Sequence, residues 1–104
     1  MEKVYVYKNS SGDFRIHPAV LLVNGGGKFR VVNSTDDTLK VTLPAGASDP
    51  TSPVTMEITP HDRGDFDAIE QGKDKTKSYN YMVVEKVSLI AAQGNSDPVL
   101  IIEN

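Results

Sequence analysis

Gly, Pro, Asn and Asp interrupt this chain at short intervals, and the runs between them are rich in Val, Ile, Tyr and Thr. That pattern constrains the fold more than any other feature. Short β-prone runs closed by turn formers are the mark of an all-β sandwich or barrel. No heptad and no sustained helical periodicity competes with it, and no internal repeat or low-complexity tract appears. The cleanest run is Leu39-Lys40-Val41-Thr42-Leu43, where Leu39, Val41 and Leu43 share one face and Lys40 and Thr42 the other.

The chain has 104 residues, which fits one domain over 1–104. That length buries enough surface for a core without covalent staples. There is no cysteine, so disulfides, thiolate nucleophiles and Cys-based zinc sites are excluded. The net charge is −3, which argues against nucleic acid as a main partner, since phosphate binding needs a basic stripe. No apolar run approaches the ~20 residues of a membrane-spanning helix. Met1-Glu2-Lys3 leads straight into strand-like Val4-Tyr5-Val6-Tyr7, and no leader peptide is visible. The chain is then cytoplasmic, or exported with its leader removed.

Further strands are expected at Glu2–Tyr7, Ile16–Val23 with Pro18 at an edge or bend, Lys28–Asn33, Val54–Ile58, Ser78–Ala92 and Val99–Ile102. Asn24-Gly25 between two apolar runs predicts a hairpin turn. Ser78–Ala92 reads as the longest strand, bent near Glu85-Lys86. The segment Thr59–Lys77 is long, charged and poor in apolar residues, and is expected to be a functional or mobile loop.

Three stretches resemble a cupredoxin in order and spacing. Gly27-Lys28-Phe29-Arg30-Val31-Val32-Asn33 is similar to the strand that ends in Asn. Ile58-Thr59-Pro60 is similar to the strand end before the long loop. Tyr79-x-Tyr81-x-Val83, followed by a loop and Val99-Leu100-Ile101-Ile102, resembles the Tyr-x-Tyr-x-Cys strand that delivers the copper thiolate and the strand after it. Gly94-Asn95-Ser96-Asp97-Pro98 resembles the same region of copper-free bacterial cupredoxin-like proteins. The resemblance covers residues 15–104. It implies two sheets with Greek-key connections and about eight strands, and it pulls localisation towards the periplasm or secretion.

A blue-copper centre takes two His, one Cys and a weak axial Met. Carried onto this chain, the Cys position holds Val83. Thr35-Asp36-Asp37-Thr38-Leu39 has no His, and Glu85–Pro98 has neither His nor Met. The resemblance therefore implies architecture without a type I copper cofactor.

Other candidates are sparser. His61 with Asp62, Asp65 and Asp67 suggests a metal-binding or metal-delivery site. Asp36-Asp37 and Asp65-x-Asp67 do not match a calcium loop, and Gly25-Gly26-Gly27 precedes a strand instead of the helix a phosphate cradle needs. Lys73, Lys75 and Lys77 form a small basic cluster. Tyr5, Tyr7, Tyr79 and Tyr81 lie on strands, as core, edge or stacking residues. No Ser-His-Asp or Cys-His set can be assembled, so no enzyme is expected. The expected role is a small non-enzymatic binding or structural module, with a protein or small ligand held by the Thr59–Lys77 loop. His61 and Arg63 would supply polar contacts there, and Phe66 and Ile69 an apolar anchor. The alternative is the metal role of His61.

Overall fold

The computed structural model describes residues 1–104 as ten strands and no helix. They are β1 (Glu2–Lys8), β2 (Phe14–His17), β3 (Val20–Asn24), β4 (Lys28–Asn33), β5 (Leu39–Leu43), β6 (Val54–Ile58), β7 (Arg63–Asp67), β8 (Thr76–Asn80), β9 (Met82–Glu85) and β10 (Val99–Glu103). A four-stranded sheet runs β2-β1-β4-β7, and two three-stranded sheets run β3-β10-β8 and β6-β5-β9. Most neighbours are antiparallel. The exceptions are β1 with β4 and β10 with β3, which pair in parallel.

Alternation explains the sandwich. In β1, Val4 and Val6 are fully buried while Lys3, Tyr5 and Tyr7 face water. In β5, Leu39, Val41 and Leu43 are inside, as the spacing predicts. The inward residues of all three sheets form one hydrophobic cluster, with Phe29, Val31, Val83, Leu100 and Ile102 among its most buried members. Burial of this kind stabilises by roughly 25 cal/mol per Å² of apolar surface.

Several expectations are corrected. The run Ile16–Val23 is two strands in different sheets, divided at Pro18 and Ala19. Asn24–Gly27 is not a hairpin: β3 and β4 belong to different sheets, so this turn carries the chain across the sandwich. Gly26 sits there at φ +86°, which favours glycine, and its amide reaches the Ala68 carbonyl at 2.7 Å. The run Ser78–Ala92 is also divided. Tyr81 separates β8 from β9, and residues 86–90 leave the sheet before Ala91 and Gln93 form single bridges to Val84 and Arg15.

The largest correction lies in Thr59–Lys77. Arg63–Asp67 is a strand, paired antiparallel to β4 with Phe29 opposite Phe66 and Val31 opposite Gly64. Its inward positions are Gly64 and Phe66. A Cβ at Gly64 would press on the Met56 sulfur and the Ile58 methyl, so glycine lets β7 lie close to β6 without moving those side chains.

Candidate functional site

Strand β9 places Val83 opposite Val41 of β5, inside the core and 1% exposed. This is the position at which the resemblance puts a copper thiolate. Nearby, Asn33 is buried at the end of β4, and its polar atoms are fully engaged. Its amide donates to the carbonyls of Asp37 at 2.8 Å, Ile58 at 3.1 Å and Thr59 at 3.1 Å. Its Oδ1 accepts from the Thr35 amide at 3.0 Å and the Thr35 hydroxyl at 2.7 Å. The side chain ties the β4–β5 turn to the end of β6. A valine methyl group and an amide already committed to the backbone supply no copper donors. The residues present do not fit a blue-copper centre.

The segment after β9 has a different character. Val87, Leu89 and Ile90 are 88%, 67% and 58% exposed. Yet the backbone that carries them is held. The Glu85 carboxylate accepts from the Val87 amide at 3.2 Å and the Ser88 amide at 2.5 Å. The Glu85 amide donates to the Ile90 carbonyl at 2.9 Å, the Leu89 amide to the Glu85 carbonyl at 2.8 Å, and the Lys86 amide to the Thr38 carbonyl at 2.9 Å. Bonds from the Ser88 hydroxyl and amide, then from the Val87 amide, hold the Glu85 carboxyl below the usual carboxylate range. The positive charge of Lys8 adds to the effect. A groove of about 780 Å³ runs beside this loop, lined in part by Lys8, Phe14, Arg15, Glu85, Val87 and Ile90. Lys8 crosses it to Asp37 at 2.6 Å, and this bond raises the pKa of the lysine.

The residues expected on the Thr59–Lys77 loop are placed differently. Phe66 is buried and stacks on Phe29, so it is a core residue and offers no contact surface. Ile69 is half-buried, with its amide bonded to the Ala47 carbonyl at 3.0 Å. His61 and Arg63 are exposed. His61 Nε2 lies 2.6 Å from Asp36 Oδ1, but the carboxylates expected to help it bind metal are engaged elsewhere. Asp65 accepts two bonds from Arg30, at 2.7 and 3.1 Å, and Arg30 holds its pKa down. Asp67 lies 3.6 Å from Lys28. Asp62 accepts from the Thr59 hydroxyl and the Arg63 amide. No group of three or more His, Cys, Asp or Glu side chains converges.

The tyrosines divide. Tyr5 and Tyr7 stand on the outer face of the four-stranded sheet, 44% and 37% exposed. Tyr79 is half-buried and donates its hydroxyl to Gln71. Tyr81 is buried with no partner for its hydroxyl, and burial pushes its pKa up. The exposed loop Val87–Ile90 was missed in the sequence because apolar residues following a strand read as more strand. Its one signal was Glu85, a carboxylate two and three residues before amides it can accept from.

No protein-family model and no curated protein sequence matches the chain. Solved structures do. A mutant of amicyanin in the Cu(I) state superposes with a TM-score of 0.66 at 14% identity, over 98% of this chain and 81% of that one. A reduced form of another amicyanin mutant gives 0.65 at 14% identity, over 97% and 80%. A purple cupredoxin from Nitrosopumilus maritimus gives 0.62 at 11% identity, over 99% and 100%. At such identity the likeness speaks for architecture alone, and that architecture is the cupredoxin-like β-sandwich.

Proposed function

We propose that this chain is a non-enzymatic protein-binding module, built on a cupredoxin-like sandwich that has no type I copper. It docks a partner through the Val87–Ile90 loop and the groove beside it. The observation that carries this reading is the pairing of exposed apolar side chains with a restrained backbone. Three large apolar residues stand in water on a loop fixed by five hydrogen bonds around Glu85 and Lys86. A contiguous exposed apolar patch marks an interaction site. A restrained loop loses little entropy on binding, so more of the contact energy appears as affinity. The nearby position that would hold copper is occupied by Val83, which supports binding in place of redox chemistry.

The test is affinity capture from the source cells with wild type and with a Val87→Ser, Leu89→Ser, Ile90→Ser triple variant. All three positions are exposed, so the variant is expected to fold. A partner recovered with wild type and lost with the variant supports the reading. Equal recovery of every protein by both sinks it.

A further inference from the structure

The outer face of the four-stranded sheet carries charge opposite in sign to the chain as a whole. Register defines the rows. His17, Tyr5, Val32 and Arg63 lie side by side across β2, β1, β4 and β7. Lys3, Arg30 and Asp65 form the next row, Tyr7 and Arg15 the row on the other side, and Lys28 and Asp67 lie beyond Arg30. The face thus holds five Lys or Arg side chains and two carboxylates, a net charge of +3 on a chain of net −3. The remaining surface carries −6.

Both carboxylates on the face are already matched, Asp65 by Arg30 and Asp67 by Lys28. Lys3, Arg15 and Arg63 form no ion pair. They surround Tyr5 and Tyr7, which share one face two residues apart, roughly 7 Å along the strand. Lys3, Tyr5, Val32 and Arg63 line a shallow depression of about 400 Å³, with His61 on its rim. Asp62 also lines it, with its carboxylate turned to Thr59 and the Arg63 amide.

We infer that this face docks an acidic protein surface, with carboxylates meeting Lys3, Arg15 and Arg63 around a Tyr5–Tyr7–Val32 centre. Tyr and Arg are the side chains most enriched where binding energy concentrates, and matched opposite charge speeds and orients encounter. A long polyanion fits less well. Four strands at about 4.8 Å spacing make a face roughly 20 Å wide. A nucleic-acid strand extending past it would meet the acidic remainder of the molecule. Arg15 also lines the groove beside the Val87–Ile90 loop, but Lys3, Tyr5 and Arg63 do not, so variants at those three positions and at the loop let the two readings fail separately.

The probes are a ten-residue peptide of alternating Glu and Asp with a central Tyr, and a ten-nucleotide oligothymidylate. Each is titrated into labelled protein and followed by amide chemical shifts. The peptide is expected to give saturable shifts centred on Lys3, Tyr5, Val32 and Arg63. Affinity is expected to fall between low and physiological salt, as screening demands. A Lys3→Glu, Arg63→Glu variant should lose about tenfold or more, while Lys40→Glu on β5 keeps wild-type affinity. If the double variant fails to fold, Tyr5→Ser serves, with the same expected loss of shifts. The inference is overturned by no shifts at millimolar peptide or by shifts centred on the Lys73–Lys77 cluster. Tighter binding of the oligonucleotide to the face would overturn it too. Dimerisation of the protein through this face, seen by sedimentation, would show that the occupant is a second copy and overturn it as well.

Discussion

Phe29 and Phe66 stack with ring centroids 5.3 Å apart and planes 16° from parallel, directly opposite each other in the β4–β7 register. The contact fastens β7 to the sheet and turns an apolar residue in a charged stretch into part of the core. Phe66→Ala is expected to cost about 3–5 kcal/mol, the range for an emptied aromatic site. Arg63→Ala, three residues earlier and exposed, should stay within about 0.5 kcal/mol. Denaturant melts of the two variants check the contrast, and equal midpoints would remove Phe66 from the core.

Val83 tests the vacated thiolate position. Val83→Asp buries a charge among apolar neighbours and should destabilise by several kcal/mol, of order 3 or more. Val83→Cys is close to isosteric and should cost less than about 1.5 kcal/mol. Its thiol should be slow towards thiol reagents while the protein is folded. Added Cu(II) should give no intense visible thiolate band, because the stretches that would carry the two His ligands, residues 35–39 and 85–98, contain none. A blue colour in that variant would show that ligands come from elsewhere.

Glu85 makes the Val87–Ile90 loop sensitive to acid. Its folded pKa lies below the unfolded one, so its stabilising bonds are fully present above the ordinary carboxylate range, near about 4.3. They are lost as pH falls through the depressed folded value. Loop amides at Val87 and Ser88 should gain exchange rate in acid before the core strands do. Glu85→Gln should show the loosened loop already at neutral pH. Unchanged Val87 and Ser88 protection in that variant would remove the carboxylate from the account.

Tyr81 hides a hydroxyl without a partner. Removing an unsatisfied buried polar atom favours the folded state, so Tyr81→Phe should be neutral or stabilising by about 1 kcal/mol. A loss of stability in thermal melts would reveal a bond, through water, that the hydroxyl makes.

Within residues 59–77, amide exchange should be divided. Arg63–Asp67, paired to β4, should be protected, and Gly72–Lys75 should exchange fast. Uniform fast exchange would mean that β7 is only marginally docked.

What could be read from the residues depended on whether the deciding forces were local. β5 was legible because Leu39, Val41 and Leu43 announce a buried face without reference to any other strand. β7 was not, because its two inward residues are Phe66 and Gly64, and glycine carries no hydrophobic signal. What makes Gly64 inward is the proximity of Met56 and Ile58, a tertiary fact. Asn24–Gly27 has the chemistry of a hairpin turn, yet sheet membership is decided by β10 claiming β3 and β1 claiming β4. The copper donors missing from Val83 and the 85–98 stretch were legible by residue type alone. The basic face was not, since Lys3, Arg30 and Arg63 are scattered along the chain and meet only through register.

Strand β10 lies at the centre of its sheet, between β3 and β8. On a ribosome, Val20–Asn24 and Thr76–Asn80 therefore emerge as two edges with nothing between them. Leu100 and Ile102, which close that part of the interior, come after both edges in chain order. This sheet, unlike the two that are complete by Glu85, cannot form segment by segment as synthesis proceeds. It stays open until β10 has left the exit tunnel and then closes in one non-local step.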